Sequence, residues 1–215
     1  MSPVTIADFG AGNLLSVARA FRHLGADIVF ASTPAEVAKA ERLVLPGVGA
    51  FGACMDGLRA RDLTGAILDF AATGRPFLGI CVGLQMLFTE SEEFGRHEGL
   101  GLIPGKVARI PTHGADGRPH KVPHIGWNAL LKPEEGTAWS GTPLGDLKPG
   151  ASVYFVHSFA AVPENRTHRL ADCDYNGIRL LAAAQKDNIT GCQFHPEKSG
   201  AVGLSILKRF LELPA

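Results

Sequence analysis

Residues 76–85 read Pro-Phe-Leu-Gly-Ile-Cys-Val-Gly-Leu-Gln. Pro76–Ile80 is a short apolar run of the kind that fills a buried parallel strand, and Val82–Thr89 is predicted to be a helix that starts straight after it. Gly79 and Gly83 flank Cys81 and let the chain turn sharply, so that the cysteine stands proud of a sheet end in a strained conformation. The helix aims its N-terminus at Cys81 and favours a negative thiolate there. The N–H of Val82 is then placed to stabilise an oxyanion. A lone cysteine is more often a buried packing residue. The strand–elbow–helix setting reverses that preference and makes Cys81 a candidate nucleophile.

The same alternation extends on the N-terminal side. Val4–Ala7 reads as a strand ended by Asp8, Gly10 and Gly12, with Asn13 as the cap of a helix. Leu14, Val17, Ala18, Phe21 and Leu24 share one face of that helix, and Gly25 stops it. Asp27–Ala31 is a second strand, Pro34–Ala40 a short helix with proline at its start, and Arg42–Leu45 a third strand. Phe51–Thr73 is predicted helical with a break at Gly65. Such βαβ units imply a parallel sheet with right-handed crossovers. After Gly95 the texture changes. Strands are predicted at Leu102–Ile110, Trp127–Leu131, Ser152–Val156, Leu180–Gln185 and Thr190–Phe194, before a final helix at Ala201–Leu213. The expected architecture is one α/β domain over residues 1–215. Its central, mostly parallel sheet is flanked by helices, and its second half is rich in antiparallel strands.

The bulk numbers narrow the function. Lys+Arg and Asp+Glu are equal at 21 each among 215 residues, which argues against a nucleic-acid or anionic-membrane partner. Cys54, Cys81, Cys173 and Cys192 show no CxxC spacing, so neither a zinc site nor a disulfide framework is expected. The opening MSPVTIADFG lacks the pattern of a signal peptide, and no run is long and apolar enough for a membrane helix. A reducing cytoplasm is the expected setting.

A thiolate nucleophile needs a base. Among eight histidines, His195 stands out in Gln193-Phe194-His195-Pro196-Glu197, directly after an apolar run. In extended chain, residues i and i+2 project the same way, so Glu197 can orient the imidazole. Pro46-Gly47-Val48-Gly49 follows the third strand at the edge where α/β sheets place ligands, and its glycines can aim an N–H at a developing oxyanion. It is neither a Walker A loop nor a dinucleotide fingerprint, and no metal or cofactor is expected. His120 and His124 stand four apart, but Pro119 and Pro123 exclude a helix that would pair them on a metal. His157 reads as a packed histidine at a strand end, and Trp127 as core or as part of an exposed Gly-bounded turn.

Three separated motifs, Pro46–Gly49, Gly79–Gln85 and His195–Glu197, resemble in order and spacing the class I, triad-type glutamine amidotransferases. Within that class, Leu45–Gly52, Pro123–Asn128, Tyr154–Phe159 and His195–Ser199 are similar to the glutaminase subunits of imidazole glycerol phosphate synthases, and the likeness runs from about Ile6 to the last helix. The resemblance implies that Cys81 attacks the carboxamide of glutamine, that His195 takes the thiol proton and returns it to leaving ammonia, and that Glu197 orients His195. It implies an oxyanion hole from Val82 and one N–H within Gly47, Val48 and Gly49, which rotation of the Gly47–Val48 peptide can complete or open. Gly49, Gln85, Glu93 and the Ser158–Phe159 backbone are expected to hold glutamine; the family often has Tyr where Phe159 stands. The implied partner is a (βα)8-barrel cyclase on a separate polypeptide, joined as a heterodimer and fed with ammonia internally. Asn13, Trp127 and Lys198 match positions that face it. Two other readings stay open. The glutaminase of a pyridoxal phosphate synthase is opposed by Gly126-Trp127-Asn128 and Val48–Phe51. A silent regulatory subunit is opposed by the intact Cys81, His195 and Glu197.

Overall fold

A computed structural model describes residues 3–214. Its first half runs β1 (Val4–Ala7), α1 (Leu14–His23), β2 (Ile28–Ala31), α2 (Pro34–Ala38), β3 (Arg42–Gly47), α3 (Phe51–Ala60), α4 (Leu63–Ala72), β4 (Phe77–Cys81) and α5 (Val82–Met86). Its second half runs β5 (Phe88–Ser91), β6 (His97–Glu98), β7 (Ile103–Arg109), β8 (His124–Ala129), β9 (Ser152–His157), β10 (Phe159–Pro163), β11 (Arg169–Tyr175), β12 (Ile178–Lys186), β13 (Ile189–Cys192) and α6 (Gly200–Glu212). Every residue of β1, β3 and β4 is buried, as a sheet covered on both faces requires.

Seven strands form the main sheet in the order β11-β12-β13-β4-β3-β1-β2. Its inner strands are parallel, and β12 is antiparallel to both of its neighbours. A four-stranded sheet, β10-β7-β5-β6, and the β8–β9 ribbon complete the second half. Helices α1 and α6 pack on each other, with Phe21 against Phe210, and α2 to α5 form a second group. The buried apolar side chains make one cluster.

Local chemistry moved several boundaries. The Phe51–Thr73 helix is broken at Arg61–Asp62, not at Gly65. Asp62 takes the left-handed conformation (φ 55°), and the Arg61 guanidinium is tied to the Asp8 carbonyl and carboxylate. Helix α5 stops at Met86 because the following loop captures its carbonyls: the N–H of Leu100 donates to Met86 and that of Ile103 to Leu87. Phe88–Ser91 then becomes a strand paired with β7. Asn13 stands at the head of α1 but makes no side-chain cap, since its φ −87°, ψ 56° is not the extended geometry of a capping residue. Strand β8 starts at His124, ahead of the expected Trp127, because Ile125 and Gly126 pair with Val156 and Phe155.

The register of the inner strands positions the site. In the parallel pairing Gly47 lies opposite Cys81, and Ile80 lies opposite Cys192. The ends of β3, β4 and β13 therefore bring three segments distant in sequence to one edge, the edge at which open α/β sheets bind ligands.

Candidate active site

Cys81 occupies the last position of β4 with φ 56°, ψ −113°, a conformation that costs a non-glycine residue on the order of 1–3 kcal/mol and persists only where its surroundings hold it. Backbone packing holds it. A Cβ on Gly83 would lie 1.8 Å from the Leu45 carbonyl oxygen, and one on Gly79 would lie 2.8 Å from the Gly83 oxygen. Helix α5 thus lies directly on the strands, and the turn at Cys81 is fixed by contacts that no side chain could tolerate.

The chain after β13 delivers the candidate base, His195. The His195 N–H donates to the Tyr154 carbonyl at 2.9 Å, and Ser199 Oγ donates to the His195 carbonyl at 2.7 Å. Residues Pro196–Lys198 form a single 3₁₀ turn. It brings Glu197 Oε1 to 2.9 Å from His195 Nδ1, with both side chains almost wholly buried. His195 and Cys81 line the same cavity, with Nδ1 turned to Glu197 and the other ring nitrogen, Nε2, left free of that contact. Burial opposes charge on the imidazole, but the hydrogen bonds to Cys81 and Glu197 and their negative charges outweigh it and hold the group at about 9. The other three thiols are buried without such partners. Burial pushes Cys54 up to about 11 and Cys173 up to about 12, and raises Cys192 as well. The arrangement can activate one thiol among four.

A cavity of about 350 Å³ opens on Cys81 and His195, near the lower end of ligand-site volumes. Val48, Gly49, Val82, Gln85, Glu93, Ser158 and Phe159 line it, together with Pro123, Val156 and His157. Gly47 lies beneath, where an added Cβ would meet the Gly83 nitrogen at 2.7 Å; Val48 and Gly49 are exposed, and Gly49 has φ +93°. Glu93 accepts the Phe51 N–H at 2.6 Å at the start of α3. Gln85 is turned inward: its Nε2 donates to the Phe159 carbonyl at 3.1 Å and to Gln193 Oε1 at 3.0 Å. Only its Oε1 is left for a ligand.

The expected partner-facing residues sit apart from the cavity floor. Trp127 is 58% exposed, stacks edge-on against Tyr154 and lies over Gly200 at the start of α6. Lys198 is exposed and Asn13 half-buried, and α1 packs on the turn that carries Lys198. His157 is a packed histidine at the end of β9, as expected, and it pairs with His124. Gln193, which none of the motifs singles out, also reaches the site. This fully buried amide donates to Cys81 Sγ at 3.9 Å. The available signal was its place two residues before His195 in extended chain, which puts both on one side.

The family model for glutamine amidotransferase class-I matches residues 5–213. The chain is 54% identical over 213 residues to imidazole glycerol phosphate synthase subunit HisH 1 of Legionella pneumophila (strain Lens), covering 99% of this chain and 100% of that protein. It is 50% identical over 208 residues to subunit HisH of Syntrophotalea carbinolica, covering 96% and 98%. Among solved structures, PurLQS from Thermotoga maritima shares the fold with a TM-score of 0.74 at 18% identity, covering 99% of both chains.

Proposed function

Since this chain belongs to the class I glutamine amidotransferases, and within them to the imidazole glycerol phosphate synthase subunits, we propose that it hydrolyses glutamine at Cys81 and passes the ammonia to a cyclase partner in histidine biosynthesis. The single observation that carries this reading is the strained Cys81 elbow with a buried His195–Glu197 pair beside it.

Cys81 gives its proton to His195 and adds to the glutamine carboxamide. Negative charge on the carboxamide oxygen falls to N–H groups of Val82 and of the Gly47–Gly49 loop. His195 then protonates the leaving ammonia, and a glutamyl thioester remains on Cys81. Water, deprotonated by His195, releases glutamate. Glu93, Gln85 Oε1, Gly49 and the Ser158–Phe159 backbone hold the amino-acid end of the substrate. Ammonia freed into water is protonated and loses its nucleophilicity, so direct handover to a (βα)8-barrel cyclase in a heterodimer serves the chemistry. Four free, buried cysteines suit a reducing, cytoplasmic setting.

The raised His195 value has a definite sign. The protonated imidazole is favoured in the folded protein, so its stabilising interaction is complete below about 6.5, the ordinary histidine value. It is lost as pH rises through about 9. Ammonia departure needs that proton, and kcat/KM falls on the alkaline side through the same range. In Glu197→Gln the alkaline limb moves down by about one pH unit or more. A pH–rate profile with the limb unmoved contradicts the orienting role of Glu197.

The docking face is tested separately. Ile125 and Trp127 project the same way from β8, and each is 58% exposed, a composition suited to an interface core. Trp127→Ala weakens cyclase binding by about 2 kcal/mol, roughly 30-fold in Kd, with the melting temperature unchanged. Titration calorimetry that returns the wild-type Kd removes Trp127 from the interface.

A further inference from the structure

A line of buried polar groups ends at the nucleophile, and its direction is fixed by elementary donor and acceptor rules. The Phe159 carbonyl can only accept. It receives His157 Nδ1 at 2.9 Å and Gln85 Nε2 at 3.1 Å, which occupies both of its lone pairs. With Nδ1 donating, the neutral His157 ring must accept at Nε2. His124 Nδ1, 3.0 Å away, is therefore the donor. His124 then accepts at Nε2 from the Asn128 amide at 3.4 Å. Burial holds both rings neutral, His124 at about 4 and His157 at about 3, so each carries one proton at neutral pH.

The other branch runs toward the sulfur. Because the Gln85 nitrogen faces both the Phe159 carbonyl and Gln193, the Gln193 atom that meets it must be Oε1, at 3.0 Å. The Gln193 nitrogen is thereby turned to Cys81 Sγ, 3.9 Å away. Gln193 is fully buried, out of reach of solvent and docking partner, and its second amide position has no freedom to flip without losing the Gln85 contact.

We propose that Gln193 holds the reactive sulfur of Cys81, donating its Nε2–H to the thiolate, and that Gln85 and the Phe159 carbonyl, with His157, His124 and Asn128 behind them, keep that donor facing the sulfur. The thiol proton goes to His195 Nε2, and Gln193 keeps both of its own. When the thiolate forms, a weak contact to a neutral thiol becomes a charge-assisted one. Two side chains then serve the sulfur: His195 from the turn after β13, backed by Glu197, and the Gln193 amide. Glu93 is the carboxylate that lines the same cavity.

This inference rests on Cys81 being the nucleophile, and the experiment separates the two. The full chain is alkylated with iodoacetamide across a pH series, and modification of the Cys81 peptide is timed by mass spectrometry. The buried Cys54, Cys173 and Cys192 serve as internal controls. In Gln193→Met the alkylation at pH 7 is about tenfold slower than in wild type. In Gln193→Glu, which sets a carboxylate beside the sulfur, it is slower still. Both deficits close as pH rises. Gln85→Met, which frees the Gln193 amide to turn, shows the same pattern at smaller size and reads the proposal even if Gln193 variants fold poorly. Wild-type alkylation rates in Gln193→Met and Gln85→Met, or a deficit equal at all pH values, overturn the proposal. Wild-type protein that keeps its glutaminase activity after Cys81 is alkylated overturns the nucleophile itself.

Discussion

Replacing Cys81 with alanine lowers glutamine hydrolysis by about 10⁴-fold or more, since removing the nucleophile of a triad leaves only binding and oxyanion stabilisation. The cyclase complex containing this variant still makes product when supplied with ammonia, because nothing in the partner's reaction uses the thiol. The two halves of the result separate a chemical loss from a folding defect. Cys81 is only 5% exposed, so alanine leaves a small, cheap vacancy in the elbow. Alanine also relieves none of the backbone turn, and the protein keeps its binding face. Hydrolysis that survives in Cys81→Ala at near wild-type rate removes the central residue of the mechanism.

A second large effect concerns stability. Gly83→Ala puts a methyl group 1.8 Å from the Leu45 carbonyl oxygen. Backbone, not a movable side chain, stands in the way, so α5 must lift off β3. The cost is about 3 kcal/mol or more, which for a chain of this length lowers Tm by roughly 6–12 °C. The lift also moves the Val82 N–H away from Cys81, so activity falls even below the transition. Gly65→Ala is the control. Nothing lies within 4 Å of its added Cβ, and in the helical frame of α4 alanine holds or raises Tm. Thermal melts that place the two variants together contradict this account of the elbow.

The contrast between these glycines shows what can be read from the chain and what cannot. The apolar runs at Val4, Arg42 and Phe77 announced the parallel strands, and the three motifs lay at strand ends, so their meeting at one sheet edge was legible. Gly65 reads as a helix break from sequence because glycine is ambiguous within a helix. The true break at Asp62 depends on Arg61 reaching back to Asp8, a contact of long sequence separation. Strand β11 escapes a local reading because its half-buried Arg169 and buried Asp172 pair with each other at 2.6 Å, which no local periodicity reveals. A local signal did exist there. Asn176-Gly177, both at positive φ, is the turn that joins β11 to β12. At the candidate site, the grouping of Cys81, His195 and Glu197 is legible from type and spacing. The contact of Gln193 with Cys81 is not, because it depends on which way a buried amide points.

The most direct measurement is rapid quenching of the protein with its cyclase partner and glutamine, followed by mass spectrometry of its peptides. A glutamyl group is expected on the peptide containing Cys81, formed at the rate of ammonia release and absent from Cys81→Ala. Ammonia release with no such adduct at any time, or with the adduct on Cys54, Cys173 or Cys192, contradicts that expectation.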